Sequence, residues 1–178
     1  MDANQTMNGF QLMGTGPGFK QEICEMIAET QLFSDLSWPE IESLAAFVQC
    51  YEVPAGTCIF SEGEPGNYLC LLIKGQIEIQ KEDQDGVSKQ LVVITRGKTV
   101  GEMSIIDGEP RSATCTALSD SVVLLLTKEN YQRLIKDRPA LAITILSRVA
   151  KLMSQRLRAL SGQLVEHLAE VDDDSGRA

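Results

Sequence analysis

Helical periodicity appears twice before any strand-like pattern in this chain. The second stretch carries a start signal, because Ser37 is a candidate N-cap, Pro39 suits the first turn and Glu40 follows the serine by three residues. The first stretch, from Gln21 to Glu29, repeats apolar residues at the spacing of one helix face. Its apolar residues are Ile23, Met26 and Ile27. The pattern predicts two short helices near the start of the chain.

The pattern changes near Tyr51 to short apolar runs separated by glycine and proline. In Gln76–Gln80 apolar and polar residues alternate, as in a strand with one buried face. Many short strands at this spacing are typical of a sandwich or barrel and not of a parallel α/β sheet. The predicted strands are Thr57–Phe60, Tyr68–Lys74, Gln76–Gln80, Lys89–Thr95, Ser112–Leu118 and Ser121–Thr127.

The helical pattern returns at Lys128, and Pro139 breaks or restarts it. From Leu141 to about Val171, apolar residues recur at alternating steps of four and three, which is typical of a coiled-coil seam. The seam extends further than one short barrel can cover, so we favour a homodimer over packing against the chain's own barrel. The seam residues are Leu146, Ala150, Met153, Leu157, Leu160, Leu164, His167 and Val171.

The order of the elements predicts one α+β domain, with helices on either side of a β barrel and a protruding C-terminal helix. We divide the chain into a flexible N-terminal arm (residues 1–18), a domain of helices and barrel (19–137), a dimerisation helix (138–171) and an acidic tail (172–178). The arm is rich in Gly, Asn, Gln and Thr and lacks the pattern of a signal peptide.

Composition argues against several classes of function. The 178 residues carry a net charge of −9, which opposes general binding to nucleic acid. The five cysteines are an odd number without a C-x-x-C pair, so we expect no disulfide framework and infer a reducing, cytoplasmic location. The longest aliphatic run, Val122–Leu126, is too short to cross a membrane.

Groups that support catalysis are scarce. The sole histidine, His167, lies on the predicted seam, where we expect a helix-surface or interface role and not a place in a Ser-His-Asp or Cys-His arrangement. Glu102 and Asp107 are close in sequence, but nothing else supports a hydrolase with paired carboxylates. Metal-ligand spacings are also missing from the sequence. We therefore expect no enzymatic activity, no catalytic residues and no metal.

One segment, residues 101–114, combines groups that suit a small cyclic phosphodiester with a sugar attached. Gly101 allows close approach of the backbone. Glu102–Ile106 is predicted to form one helical turn whose free N–H groups point at an anion. Arg111 offers a planar fork of donors to phosphate oxygens. Together these features favour an anion site between two strands.

The neighbouring polar groups allow two interpretations. Ser112 and the backbone N–H of Ala113 add donors, while ionised Glu102 only accepts hydrogen bonds and so suits a sugar hydroxyl. In the simpler interpretation, an arginine near a glutamate is a surface ion pair that contributes ~0–1 kcal/mol, and Gly101 belongs to an ordinary turn. Composition alone leaves both interpretations open.

The order of the residues resembles the phosphate-binding cassette of the cyclic nucleotide-binding domain family. This family includes catabolite activator proteins, regulatory subunits of cyclic-AMP-dependent protein kinase, and nucleotide-gated channels. The two parts of the cassette are Gly-Glu-Met-Ser-Ile (residues 101–105) and Pro-Arg-Ser-Ala-Thr (110–114). Residues 32–37, 53–57 and 71–75 resemble the family's opening helix junction and first barrel strands, so the similarity covers roughly residues 30 to 160.

The resemblance implies an eight-stranded antiparallel jelly-roll barrel whose ligand is cAMP or cGMP, with no other cofactor. Arg111 would bind the exocyclic phosphate oxygens with support from Ser112, and Glu102 would bind the ribose 2′-hydroxyl. The long helix would cap the base, with Ser161 at one of two positions where catabolite activators present hydroxyl groups to adenine, and Leu160 at the other. The implied ligand-binding residues are Gly101, Glu102, Met103, Ser104, Arg111, Ser112, Ala113, Leu71, Val92 and Ser161.

The resemblance predicts a sensor that transmits ligand binding to its C-terminal helix and to an unidentified protein partner. Ser112 favours cAMP over cGMP, because the catabolite activators have serine at this position and cyclic-GMP kinases have threonine. Direct DNA binding is not expected, since the long helix is followed only by the acidic tail and not by a recognition helix. One alternative is a dimerisation or docking module with an unused pocket, and a weaker one is a phosphodiesterase.

Overall fold

The computed structural model describes residues 9–14, 17–30 and 32–175, and it describes side chains at residues 9–14, 18–30 and 32–165. These residues form five helices and nine strands. The helices are α1 (Pro17–Ala28), α2 (Trp38–Ala45), α3 (Glu102–Ile106), α4 (Lys128–Asp137) and α5 (Pro139–Ser175). The strands are β1 (Gln11–Leu12), β2 (Gln49–Val53), β3 (Cys58–Phe60), β4 (Tyr68–Lys74), β5 (Ile77–Glu82), β6 (Ser88–Ile94), β7 (Thr99–Val100), β8 (Thr114–Ala117) and β9 (Ser121–Thr127).

The strands form two antiparallel sheets. One sheet has the strand order β1-β2-β9-β4-β7, and the other has the order β3-β8-β5-β6. The α+β class with a long C-terminal helix is therefore confirmed. Within the described residues, however, the β region comprises nine strands in two sheets and not a closed barrel of eight. One sheet ends at β1 and β7, the other ends at β3 and β6, and no pairing between the described strands joins the two sheets.

The hydrophobic core lies between the two sheets. On β4, the alternate residues Tyr68, Cys70 and Leu72 belong to this core, as expected for one face of a strand. Ile77 of β5 and Cys115 of β8 approach from the other sheet and are almost fully buried. This core therefore fixes which side of each strand faces the interior of the domain.

Capping residues begin two of the short helices. Ser37 and Glu40 form the predicted capping box of α2, with the Glu40 carboxylate accepting from the Ser37 backbone N–H at 2.8 Å. The hydroxyl of Thr127 caps α4 by accepting from the Asn130 N–H at 3.1 Å. Trp38, the first residue of α2, is 41% exposed, and its indole N–H donates to the Glu42 carboxylate.

The beginning of the chain is more structured than the predicted arm of residues 1–18. Residues 1–8 lie outside the described part, but Phe10 is buried in the core, with its ring 6.0 Å from that of Tyr51. β1 then pairs with β2, and α1 begins at Pro17. The Gly- and Asn-rich composition concealed this short segment because two strand residues and one aromatic give no periodicity.

The chain divides into two compact units, Met1–Leu141 and Ala142–Ala178. The described residues of the second unit all belong to α5, which begins at Pro139, where the sequence predicted a restart, and continues through residues 172–175 of the predicted tail. His167 and Val171 of the predicted seam lie beyond the described side chains. Among the helices described, we find none with the length and apolar character needed to cross a membrane.

We predict that Phe10→Ala lowers the free energy of unfolding by about 3 kcal/mol, because the change removes a buried aromatic side chain from the core. Leu12→Ala in the same short segment is the control, since Leu12 is 44% exposed and its loss should cost less than about 1 kcal/mol. Urea unfolding of both variants measures the difference. Equal effects would show that the N-terminal segment is not part of the core.

Candidate functional site

The site is built around Arg111, which follows the loop after α3. The backbone at this position is fixed from both sides: the Arg111 N–H donates to the Glu64 carbonyl at 2.8 Å, and the Gly63 N–H donates to the Arg111 carbonyl at 2.9 Å. The turn between β3 and β4 therefore holds the arginine against the end of β4.

The side chain of Arg111 points into the interior and is only 3% exposed. Its Nη1 donates to the carbonyl of Gly101 at 2.9 Å, and its Nη2 donates to the carbonyl of Tyr68 at 2.8 Å. The central guanidinium carbon lies 4.0 Å from the ring centroid of Phe60 and 4.7 Å from that of Tyr68. The arginine is thus held by two carbonyl oxygens and two aromatic rings.

Among the described residues, the positive charge of Arg111 has no carboxylate partner, in contrast to Lys81, Lys89 and Arg96, which form ion pairs with Glu62, Asp83 and Glu29. Burial lowers the pKa of the guanidinium below its ordinary value, against an opposing effect of the Tyr68 hydroxyl. Burial raises the pKa of that hydroxyl to about 12. A buried charge without a counter-ion is costly, so this arrangement suits a site that receives an anion.

The helical turn predicted at Glu102–Ile106 is confirmed as α3. Gly101 precedes it with a φ of +75°, a left-handed conformation that favours glycine. A Cβ atom at this position would overlap with Nη1 of Arg111. Gly66 lies equally close to the site, because a Cβ there would overlap with Ser104. The two glycines therefore allow the backbone to approach the arginine and α3 closely.

The other predicted residues of the segment lie on different sides of it. Glu102 and Ser104 are buried, as is Ala113 next to β8. Ser112 is exposed, and its hydroxyl is 3.7 Å from the sulfur of Met103. Met103 itself is 44% exposed, so it lies at the surface of the segment.

Lys81 and Glu62 fix the backbone at Ser112. The Lys81 ammonium donates to the Ser112 carbonyl at 2.9 Å and forms an ion pair of 2.6 Å with Glu62. The hydrogen bond from Lys81 lowers the pKa of the Glu62 carboxyl. The Glu62 N–H in turn donates to the Thr114 hydroxyl at 2.9 Å. These contacts tie residues 112–114 to β5 and to the turn before β4.

The register of the sheets separates Leu71 from Val92. Leu71 lies between the core residues Cys70 and Leu72 on β4, so its side chain is on the opposite face of the sheet from the Tyr68 ring and Arg111. This placement argues against the ligand contact expected for Leu71. Val92 pairs with Ile79, which packs against the core, and is nevertheless 47% exposed, so it lies on the inner face where a ligand can reach it.

Ser161 lies on α5 in the second unit, where its hydroxyl donates to the Leu157 carbonyl at 2.9 Å. The expected contact between Ser161 and a base stays a prediction. Five further residues at the site were not proposed from the sequence: Phe60, Tyr68, Gly66, Glu62 and Lys81. No local signal marks them, since an aromatic residue at a strand end has the same pattern whichever way it faces.

Two comparisons relate this chain to known proteins. The family model described as a cyclic nucleotide-binding domain matches residues 51–138, which include β3 to α4 and the whole Arg111 segment. A crystal structure of a cyclic nucleotide-binding domain from Methylobacillus flagellatus aligns with a TM-score of 0.75 and 30% identity, covering 85% of this chain and 85% of that one.

Curated proteins give the same result at the level of sequence. The chain is 27% identical over 142 residues to a CRP-like cAMP-activated global transcriptional regulator of Mycobacterium tuberculosis, covering 80% of this chain and 62% of the regulator. It is 32% identical over 127 residues to the cyclic AMP receptor protein of Thermus thermophilus, covering 71% of this chain and 57% of the receptor. The chain therefore spans about three fifths of the length of these relatives.

We predict that Gly101→Ala destabilises the protein more than Gly108→Ala does. Both glycines have a positive φ (+75° and +78°), so both alanines carry a similar strain of about 1 kcal/mol. Only the Cβ at position 101 also overlaps with Arg111, whereas the nearest atom at position 108 is the flexible Lys128 Nζ at 3.9 Å. Urea unfolding should show an extra loss of at least about 1 kcal/mol for Gly101→Ala. Equal losses in the free energy of unfolding would mean that the Arg111 side chain moves away from the new Cβ without destabilising the protein.

Proposed function

The chain belongs to the cyclic nucleotide-binding domain family, and we propose that it is a sensor that binds cAMP in preference to cGMP and catalyses no reaction. The observation that carries this proposal is the buried guanidinium of Arg111, which lacks a carboxylate partner among the described residues. A cyclic phosphodiester has one negative charge and two exocyclic oxygens, which match the planar donors of arginine.

We assign the surrounding residues to the rest of the nucleotide. Ser112 is exposed beside Arg111 and adds a hydroxyl donor near the phosphate. Glu102, at the start of α3, accepts hydrogen bonds from the ribose 2′-hydroxyl, with the Gly101 backbone nearby. Val92, exposed on the inner face, contacts the base or the ribose. A ligand in this position would give the arginine its missing counter-ion.

The preference for cAMP rests on two observations. Ser112 occupies the position where the catabolite activators have serine and cyclic-GMP kinases have threonine. In addition, the regulator of M. tuberculosis is described as cAMP-activated, and the T. thermophilus protein as a cyclic AMP receptor. Ser161 on α5 would supply one hydroxyl to the adenine base.

Transmission of ligand binding is supported by the contacts of Tyr68. Its carbonyl accepts from Arg111, and in the sheet it pairs with Thr127, the N-cap of α4. The next residue, Lys128, donates its N–H to Asn67 at 2.7 Å. A shift of Arg111 towards a ligand would therefore displace the start of α4, and through it α5 and a protein partner. This is a change between two states that the ligand biases.

A homodimer through α5 and a cytoplasmic location are also part of the proposal. The seam residues Leu157, Leu160 and Leu164 are each about 60% exposed, an unusual state for three leucines on one helix face. All five cysteines are free thiols, which fits a reducing compartment. The net charge of −9 argues against direct contact with DNA by this chain.

Isothermal titration of nucleotide-free protein with cAMP and cGMP tests the proposed ligand. We expect cAMP to bind with micromolar affinity or better, ~−8 kcal/mol, and more tightly than cGMP. Arg111→Ala should weaken cAMP binding at least about 30-fold, because it removes a charged pair with the phosphate. Arg96→Ala is the control, since Arg96 is a largely exposed arginine paired with Glu29.

Three results of this titration would contradict the proposal. Tighter binding of cGMP would reverse the assigned preference. Equal affinity of wild type and Arg111→Ala for cAMP would show that Arg111 does not bind the nucleotide. A folded wild-type protein that binds neither nucleotide would favour the docking module with an unused pocket.

The proposed dimer predicts that Leu157→Glu reduces the molecular mass measured by sedimentation equilibrium from that of two chains to that of one. A charge at this seam position would be buried against a second copy without a partner. Gln155→Glu, at an exposed position off the seam, introduces the same charge and should leave the dimer intact. A wild-type protein with the mass of one chain would rule out this dimer.

A further inference from the structure

We propose that Phe60 and Tyr68 are positioning residues that hold the Arg111 guanidinium in place to receive the phosphate of the ligand. This inference rests on the proposed function, because the ligand it concerns is the cyclic nucleotide. It adds two aromatic side chains that lie outside residues 101–114 and that approach the arginine from the strands β3 and β4.

The two rings form a corner around the charge. Their centroids are 6.2 Å apart and their planes are inclined by 66°, an edge-to-face arrangement. Since the guanidinium carbon is 4.0 Å from one centroid and 4.7 Å from the other, the rings meet it from two nearly perpendicular directions. Both distances are well within the range of cation–π attraction. The rings thus restrict the guanidinium in two directions at once.

Each ring is itself held firmly. Phe60 and Tyr68 are buried members of the core between the sheets. The Tyr68 hydroxyl donates to the Ile59 carbonyl at 2.5 Å, which joins β4 to β3 beside the arginine. The Tyr68 carbonyl accepts from Nη2 of Arg111, so one residue contacts the guanidinium through both its ring and its backbone. The rings are therefore preorganised before any ligand arrives.

Aromatic rings stabilise this charge in a way that a carboxylate does not. An acidic partner would occupy the N–H donors of Arg111 and compete with a phosphate for them. A ring attracts the cation through its π electrons and accepts no conventional hydrogen bond. The two carbonyls engage two of the five N–H donors of the guanidinium. The arrangement keeps the charge buried while it leaves donors for an incoming anion.

The test measures cAMP affinity and the side-chain NMR signals of Arg111 in four variants: Phe60→Leu, Tyr68→Leu, Tyr68→Phe and Ile59→Ala. The first two remove a ring, and each should weaken cAMP binding about 3- to 30-fold. In ligand-free protein they should also shift the Arg111 Nε–H resonance, because the ring current acting on it is lost. That resonance is assigned by its absence from the Arg111→Lys spectrum.

The other two variants are matched controls. Tyr68→Phe keeps the ring but removes the hydroxyl that donates to the Ile59 carbonyl, so its loss of cAMP affinity should be clearly smaller than that of Tyr68→Leu. Ile59→Ala removes a buried apolar side chain from the same strand as Phe60 and leaves both rings in the protein. It therefore separates general destabilisation from loss of a ring. Urea unfolding of all four variants shows whether each is folded. If Phe60→Leu does not fold, the comparison of cAMP affinity between Tyr68→Leu and Tyr68→Phe tests the role of the ring.

The outcomes separate this inference from the proposed function. Weaker cAMP binding and a shifted Nε–H resonance in the ring-removing variants alone would support positioning by the rings. Wild-type affinity in Phe60→Leu and Tyr68→Leu would overturn it while the nucleotide site stands. Equal losses in Ile59→Ala or Tyr68→Phe would also overturn it, because a ring is not what those variants lack. Absence of cAMP binding by the wild type would overturn both proposals.

Discussion

The buried charge of Arg111 sets the conditions that the surrounding structure has to meet. A guanidinium that is 3% exposed has lost its hydration, and among the described residues no carboxylate replaces it. The protein compensates with oriented carbonyls of Gly101 and Tyr68 and with the faces of two rings. These groups are weaker partners than an anion, which is why we propose that an anion binds here.

Several features of the fold follow from this constraint. The carbonyl of Gly101 reaches the guanidinium only because the residue is left-handed and has no Cβ. The backbone of Arg111 is held by Gly63 and Glu64, and the backbone of Ser112 by Lys81. Strands of both sheets and the turns between them therefore meet at one side chain. The Arg111 segment is therefore in direct contact with elements that are distant in sequence.

The transmission of ligand binding that we propose relies on the same geometry. Tyr68 contacts Arg111 and is paired with Thr127, where β9 ends and α4 begins. Because packed cores do not deform continuously, a displaced strand end moves the helix that follows it as a unit. In the proposed function, a ligand that drew Arg111 away from Tyr68 would thus affect α4 through one carbonyl and one strand pair.

What the sequence determined by itself is local. Short apolar runs located β4 and β9 to the residue, a capping box located the start of α2, the return of helical periodicity located the start of α4, and Gly101 with Arg111 marked the segment of the candidate site. Only the tertiary structure decided which way each side chain faces and which side chains from distant parts of the sequence lie close together. The register of β4 turned Leu71 away from Arg111 and Tyr68 towards it, and the packing of two sheets brought Phe60 to the same charge. Periodicity along a strand shows that its faces differ, but it does not show which charge lies opposite an aromatic ring, because that contact joins residues that are about 50 positions apart.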